Sequence, residues 1–208
     1  MAGIDLRTFT YIDILQPQVA SFIATVSQGY LPIEGQASLI VEVQPGIDVN
    51  LALDVALKRT QVTPGMLIVE RLFGFMELHS FDQGEVRAAG KAILDFLGSK
   101  ESERVQPKVM TTQIITGVDA HHTMLINRMR HGNFLLKGES LYILEVHPAG
   151  YAMIAANEAE KAAKVNVLEV LAFGAFGRVF LGGTESDIHE AAAAVESALK
   201  AIDGRPNK

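Results

Sequence analysis

Residues 38–43 read SLIVEV and run into Gln44-Pro45; 103 positions further on, residues 141–146 read LYILEV and run into His147-Pro148. This register pairs Glu42 with Glu145, Val43 with Val146 and Pro45 with Pro148, and it holds outward in both directions. Upstream, Thr8 meets Thr111, Ile12 meets Ile115, Gly29 meets Gly132 and Gly35 meets Gly138. Downstream, Lys58 meets Lys161, Val62 meets Val165, Phe73-Gly74 meets Phe176-Gly177 and Leu78 meets Leu181. Glycine and proline fix turns that other residues cannot make, so a repeat that keeps them together with the strand pattern repeats backbone geometry. The chain is a tandem duplication. Its expected domains are residues 1–104 and 105–208, with the seam in SKESERVQP at 99–107, a charged stretch after a helix stop at Gly98.

Domains of roughly 100 residues bury only about two-thirds of the surface of their unfolded chains. With 49% hydrophobic and 20% charged residues, this chain carries an apolar surplus that points to buried interfaces. A net charge of -6 and a single short basic cluster argue against nucleic acid as a partner, because phosphate binding needs grouped Lys and Arg. Without cysteine there is no disulfide, no thiolate-held cluster and no cysteine nucleophile. No cationic segment with an apolar core opens the sequence, and no apolar run approaches about 18 residues, so neither secretion nor a membrane partner is expected.

The first copy reads as an extended segment at 4–15, a helix at 17–28 opened by Pro17 and closed by Gly29, and a strand at 38–43. A helix at 46–59 follows, with Ile47, Leu51 and Val55 recurring every four residues beside Ala52 and Ala56. Strands at 66–70 and 73–78 precede a helix at 84–97 striped by Val86, Ala89, Ile93 and Leu97. The second copy repeats the order at 109–118, 120–129, 141–146, 151–163, 167–172, 176–181 and 187–201, and Thr184 with Asp187 suits a helix cap. The expected class is α/β (α+β), built twice, with helices covering a mixed sheet.

A strand ending Glu-Val-x-Pro, the helix NEAEKAAKVNV at 157–167, a Phe-Gly turn and Gly-Gly-Thr before an alanine-rich helix resemble the bacterial microcompartment shell domain. Two such domains, each opening on a strand that sits later in the unpermuted form, resemble the circularly permuted tandem shell proteins. YIDILQPQ at 11–18, LIVERLFGFMELH at 67–79, LINRMRHG at 125–132 and ANEAEKA at 156–162 carry a further likeness to the carboxysome-type double-layered trimers. The resemblance implies a permuted, ferredoxin-like fold and a homotrimer shaped as a pseudohexamer, stacking in pairs around a chamber. It further implies hexameric and pentameric shell proteins at the edges, small metabolites through a central pore, and a place in a microcompartment shell in the cytoplasm.

The same resemblance puts Glu70 and Arg71 at the three-fold pore, with Leu72, Phe73, Phe173 and Gly174 nearby. The second copy departs from the pattern, since Phe173-Gly174 stands where the first has Glu70-Arg71. From the bare residues a Glu-Arg pair at a strand end is a solvated ion pair; the resemblance reverses that weighting. Arg128, Arg130 and His131 are read as contacts to an anion or a facing trimer, or as a solvated helix end. His121 and His122 are adjacent on a helix and point apart, so no metal is expected. No cofactor is expected either, as the glycine pairs at Gly174, Gly177, Gly182 and Gly183 lack the spacing of a nucleotide loop. Glu42 and Glu145, duplicated, read as structural or interface residues. The leading expectation is a non-enzymatic shell tile, and the alternative is a trimeric regulatory protein that binds a small anion between subunits.

Overall fold

The computed structural model describes residues 3–207; positions 1, 2 and 208, the outermost residues of the two expected domains, lie outside the described residues. In the first half, strands β1 (Asp5–Ile12), β2 (Ala37–Gln44), β3 (Thr63–Glu70) and β4 (Phe73–Ser80) alternate with helices α1 (Pro17–Val26), α2 (Val49–Arg59) and α3 (Gln83–Leu97). The second half repeats them as β5 (Lys108–Ile115), α4 (Ala120–Met129), β6 (Ser140–His147), α5 (Tyr151–Ala162), β7 (Asn166–Leu171), β8 (Gly177–Gly183) and α6 (Glu185–Lys200). The strand orders are β1-β2-β4-β3 and β5-β6-β8-β7. Backbone detail repeats as well. Ladder irregularities fall between Leu6 and Thr8 and again between Val109 and Thr111, and Gly35 and Gly138 share left-handed φ values of 83° and 86°. Among the described residues no helix is long and apolar enough to cross a membrane.

Two expectations are corrected. The sheets are not mixed: every strand pair is antiparallel, because β3 and β4 join through a tight turn and the helices connect strands that do not neighbour each other in parallel. The stripe on the second helix is also displaced. Residues Gly46–Asp48 form a 3-10 turn, and α2 then buries Val49, Ala52 and Ala56 while Ile47 and Leu51 stay exposed. Its repeat equivalent α5 buries Tyr151, Ala152, Met153, Ala155, Ala156, Asn157 and Ala159, lying between its own sheet and the first half.

The other caps follow the expected chemistry. Asp82 accepts the Gly84 and Glu85 N–H groups, Thr184 accepts the Asp187 N–H, and Gly98 closes α3 in the left-handed conformation. Beneath them lie a core private to the first half, formed by β1, β2 and β4 against α2 and α3, and a small one under α4. The largest core is shared: α1 of the first half packs Val19, Phe22 and Ile23 together with α5, β6 and β8 of the second. The duplicated modules are thus fused through α1, and the same face of α4 is left without a third module to cover.

Candidate functional site

β3 and β4 are joined by Arg71 and Leu72, with Glu70 paired to Phe73 across the turn. Arg71 has φ +53°, the one positive value on a non-glycine among the described residues; its repeat equivalent is Gly174, at φ +95°. Left-handed backbone brings Cβ against the following carbonyl and costs an L residue roughly 1–2 kcal/mol. The second copy avoids this cost with glycine, and the first keeps a side chain. That side chain is 90% exposed, its Nε 3.6 Å from Glu70 Oε1, so Coulomb attraction between the two is weak. Leu72 is exposed, and Phe73 lies under the Arg7 guanidinium, 3.7 Å from the ring centre.

The two halves bring their turns together. Phe173 packs on the shared core, and a Cβ built on Gly174 would stand 3.8 Å from Glu70 Cγ. All six residues named from the resemblance therefore occupy one end of the molecule, with charge contributed by the first half alone. Replacing Arg71 with glycine is expected to raise unfolding free energy by about 1 kcal/mol by removing the strain; calorimetry would show a higher Tm, and a lower one would mean that the guanidinium contributes more than the backbone conformation costs.

Glu42 forms a site that sequence reading placed no further than "structural or interface". Fully buried, it accepts Arg7 Nε at 2.8 Å on one oxygen, and Thr8 Oγ1 at 3.1 Å and the Gly150 N–H at 3.0 Å on the other. Gly150 belongs to the second half, so this carboxylate locks the seam. Arg7 Nη2 lies 3.0 Å from His147 Nε2, and because a guanidinium only donates, that nitrogen accepts; Nδ1 then carries the proton and donates to Asn207 Oδ1 at 2.8 Å. Burial, with the nearby Arg7 charge, holds His147 below the ordinary histidine pKa, in keeping with a neutral ring. The repeat partner Glu145 is only paired with Arg178, at 2.7 Å.

A second latch holds α1. The Gln18 and Val19 N–H groups donate to the two oxygens of Glu160, and the Gln16 N–H donates to Asn157 Oδ1, so the helix N-terminus meets a carboxylate from the other half.

Arg130 and His131 line one groove with Glu169 and Arg178, and Arg128 is not among its lining residues. Arg128 is exposed, Arg130 stacks its guanidinium 3.6 Å over the Phe134 ring, and His131 pairs through Nδ1 and its backbone N–H with Glu169 Oε2, each at 2.8 Å. Among the described residues no group of three metal-capable side chains gathers. A buried polar cluster was missed: Glu77 accepts Ser38 Oγ at 2.6 Å and lies 3.1 Å from His79 Nδ1. The repeat could not flag it, since Leu141, Phe180 and Gly182 occupy the equivalent positions.

Residues 6–103 match the model of the CsoS1D N-terminal domain family. The carboxysome shell protein CcmP of Synechococcus elongatus is 52% identical over 203 residues, spanning 98% of this chain and 95% of that protein. The chain belongs to the carboxysome-type microcompartment shell proteins. Two solved shell proteins share its whole architecture. The fused permuted hexameric shell protein MSM0275 of the RMM microcompartment superposes with a TM-score of 0.94 at 47% identity, covering 96% of this chain and 98% of that one. The double ringed trimeric shell protein MSM0271 of the same microcompartment reaches 0.95 at 38% identity, covering 98% and 100%. These likenesses establish the permuted tandem shell fold and a structural role in a microcompartment shell. For this shell protein the Glu70–Arg71 turn, the Glu42 seam and the free face of α4 are then parts of a tile.

Proposed function

We propose that the chain, divided into shell domains at residues 1–104 and 105–208, closes as a homotrimer into a pseudohexameric tile whose central pore is gated by Glu70 and Arg71. Non-enzymatic, the tile passes small metabolites, stacks in pairs and joins hexameric and pentameric shell proteins at its edges. The observation that carries the gate is the strained, exposed Arg71 beside Gly174, in the one repeat that keeps charge at this turn. Three copies of each charge around an axis could pair as forks and close the opening, or separate and relieve crowding between guanidinium groups. Exposed ion pairs contribute only about 0–1 kcal/mol, so the two arrangements stay close in energy.

Ring closure is supported by unequal burial at equivalent positions. Phe22 of α1 is 2% exposed against the second half, whereas Leu125, its counterpart on α4, is 53% exposed. A heterologous contact that recurs from chain to chain closes a ring when its rotation fits, and here the seam within the chain already defines the rotation. Stacking is supported by a different pattern. Leu31 and Ile33 are exposed, and so are Phe134 and Leu136, their equivalents, which means the seam accounts for neither pair. Arg128, close to this second pair in sequence and exposed, is assigned with Arg130 and His131 to the stacking face.

Glu70→Ala combined with Arg71→Ala is expected to leave the trimer intact and the pore fixed open in electron microscopy reconstructions. An unchanged pore diameter would remove these two residues from the gate.

A further inference from the structure

The helix-covered face of the second sheet is not a copy of the first. In the first half Phe9 and Tyr11 of β1 pack edge to face, ring centres 5.3 Å apart, beside α3. Gly90 on that helix makes the room, since a methyl group there would run into the Tyr11 ring. The equivalents of Phe9 and Tyr11 are Thr112 and Ile114; α6 starts one residue earlier relative to its sheet than α3, so Val195 and Leu199 hold the places of Ile93 and Leu97, and Glu196 stands where α3 has Leu94. Two substitutions thus remove both aromatic rings from the interface, and a third makes the helix edge beside it polar.

What remains is a groove of about 560 Å³ between β5 and α6, within the roughly 300–1,000 Å³ typical of small-molecule sites. Its floor is apolar, with Leu144 and Leu199 beside the buried ring of Tyr142, which stands where the first half has Leu39 and recovers only part of the lost volume. Its lip is polar, formed by Thr112 and the Glu196–Lys200 ion pair at 2.6 Å. An apolar floor with a few hydrogen-bonding groups at one edge selects a ligand that is flat and greasy on one side and polar on the other.

We propose that this groove binds a single-ring aromatic molecule carrying a hydroxyl group, its ring in the place that Phe9 and Tyr11 hold in the first half and its hydroxyl at the Thr112 and Glu196–Lys200 lip. The first half contains the occupant as part of its own chain, and the second leaves the space to a molecule from outside. The site is separate from the Glu70–Arg71 turn and does not depend on the gate.

The test is a titration of the full chain with 4-fluorophenol followed by fluorine NMR. Saturable binding with proton contacts from the ring to the Ile114 and Leu199 methyl groups is expected in the unmodified protein. Thr112→Phe, which returns one aromatic ring to the groove, should weaken it by about tenfold or more, the equivalent of roughly 1.4 kcal/mol. Absence of saturation, contacts to methyl groups elsewhere, or unchanged affinity in a folded Thr112→Phe variant would overturn the proposal. So would protection of the groove that grows with protein concentration and resists 4-fluorophenol, which would assign it to a contact between copies. The methyl contacts decide the matter in the unmodified chain even if the variant fails to fold.

Discussion

Glu42→Ala is expected to lower unfolding free energy by about 3–5 kcal/mol, the loss seen when one partner of a buried ion pair is removed. The side chains of Arg7 and Glu42 are 8% and 1% exposed, so deleting the carboxylate strands a guanidinium that water cannot reach. Thr8 Oγ1 and the Gly150 N–H lose their acceptor in the same step. Removing the charge at Arg7 as well, in Glu42→Met with Arg7→Leu, should recover much of the loss, because the cost lies in the unpaired charge more than in the missing bond. Denaturant unfolding at fixed protein concentration measures both variants. A single-variant loss under about 1 kcal/mol would mean that water enters the seam and solvates Arg7. Glu145→Ala is the internal control, since its exposed pairing with Arg178 predicts a change within about 1 kcal/mol.

Phe22→Ala and Leu125→Ala should separate folding from assembly. Phe22 lies in the shared core between α1 and the second half, and truncating a fully buried phenylalanine costs about 3–5 kcal/mol in lost transfer energy and residual cavity. Leu125, at the equivalent position on α4, is solvent-exposed in the single chain, so its truncation should leave chain stability within about 0.5 kcal/mol. In the proposed trimer the same leucine takes the role of Phe22 against the next copy, and analytical ultracentrifugation of Leu125→Ala is expected to show dissociation at concentrations where the unmodified protein is trimeric. A trimer equally stable in that variant would detach α4 from the subunit contact.

Much of the fold was legible because the sequence carries it twice. Strand and helix positions from 38–43 to 187–201 match the structure within a few residues, since turn-forming glycines and prolines mark both copies at one offset. Burial was less legible. Ile47 and Leu51 read as a core stripe and are exposed, because a 3-10 turn shifts the phase of α2. Glu70 and Arg71 could be named from motif alone, yet that the Arg71 backbone is left-handed and that Gly174 lies against Glu70 are facts of the turns meeting in space.

By itself, then, the sequence determined the duplication, the order of elements, the apolar surplus and the confinement of charge to one of two equivalent turns. These are local properties, set by backbone preference and by side-chain periodicity along a strand or helix. The tertiary structure decided the antiparallel pairing, the fusion of both halves through α1, the burial of Glu42 with Arg7 and Gly150, and the groove left where Phe9 and Tyr11 have no counterparts. Each of those depends on groups far apart in the chain sharing one dry space, where the cost of an unpaired charge or an unfilled volume is settled by three-dimensional neighbours that no spacing rule lists.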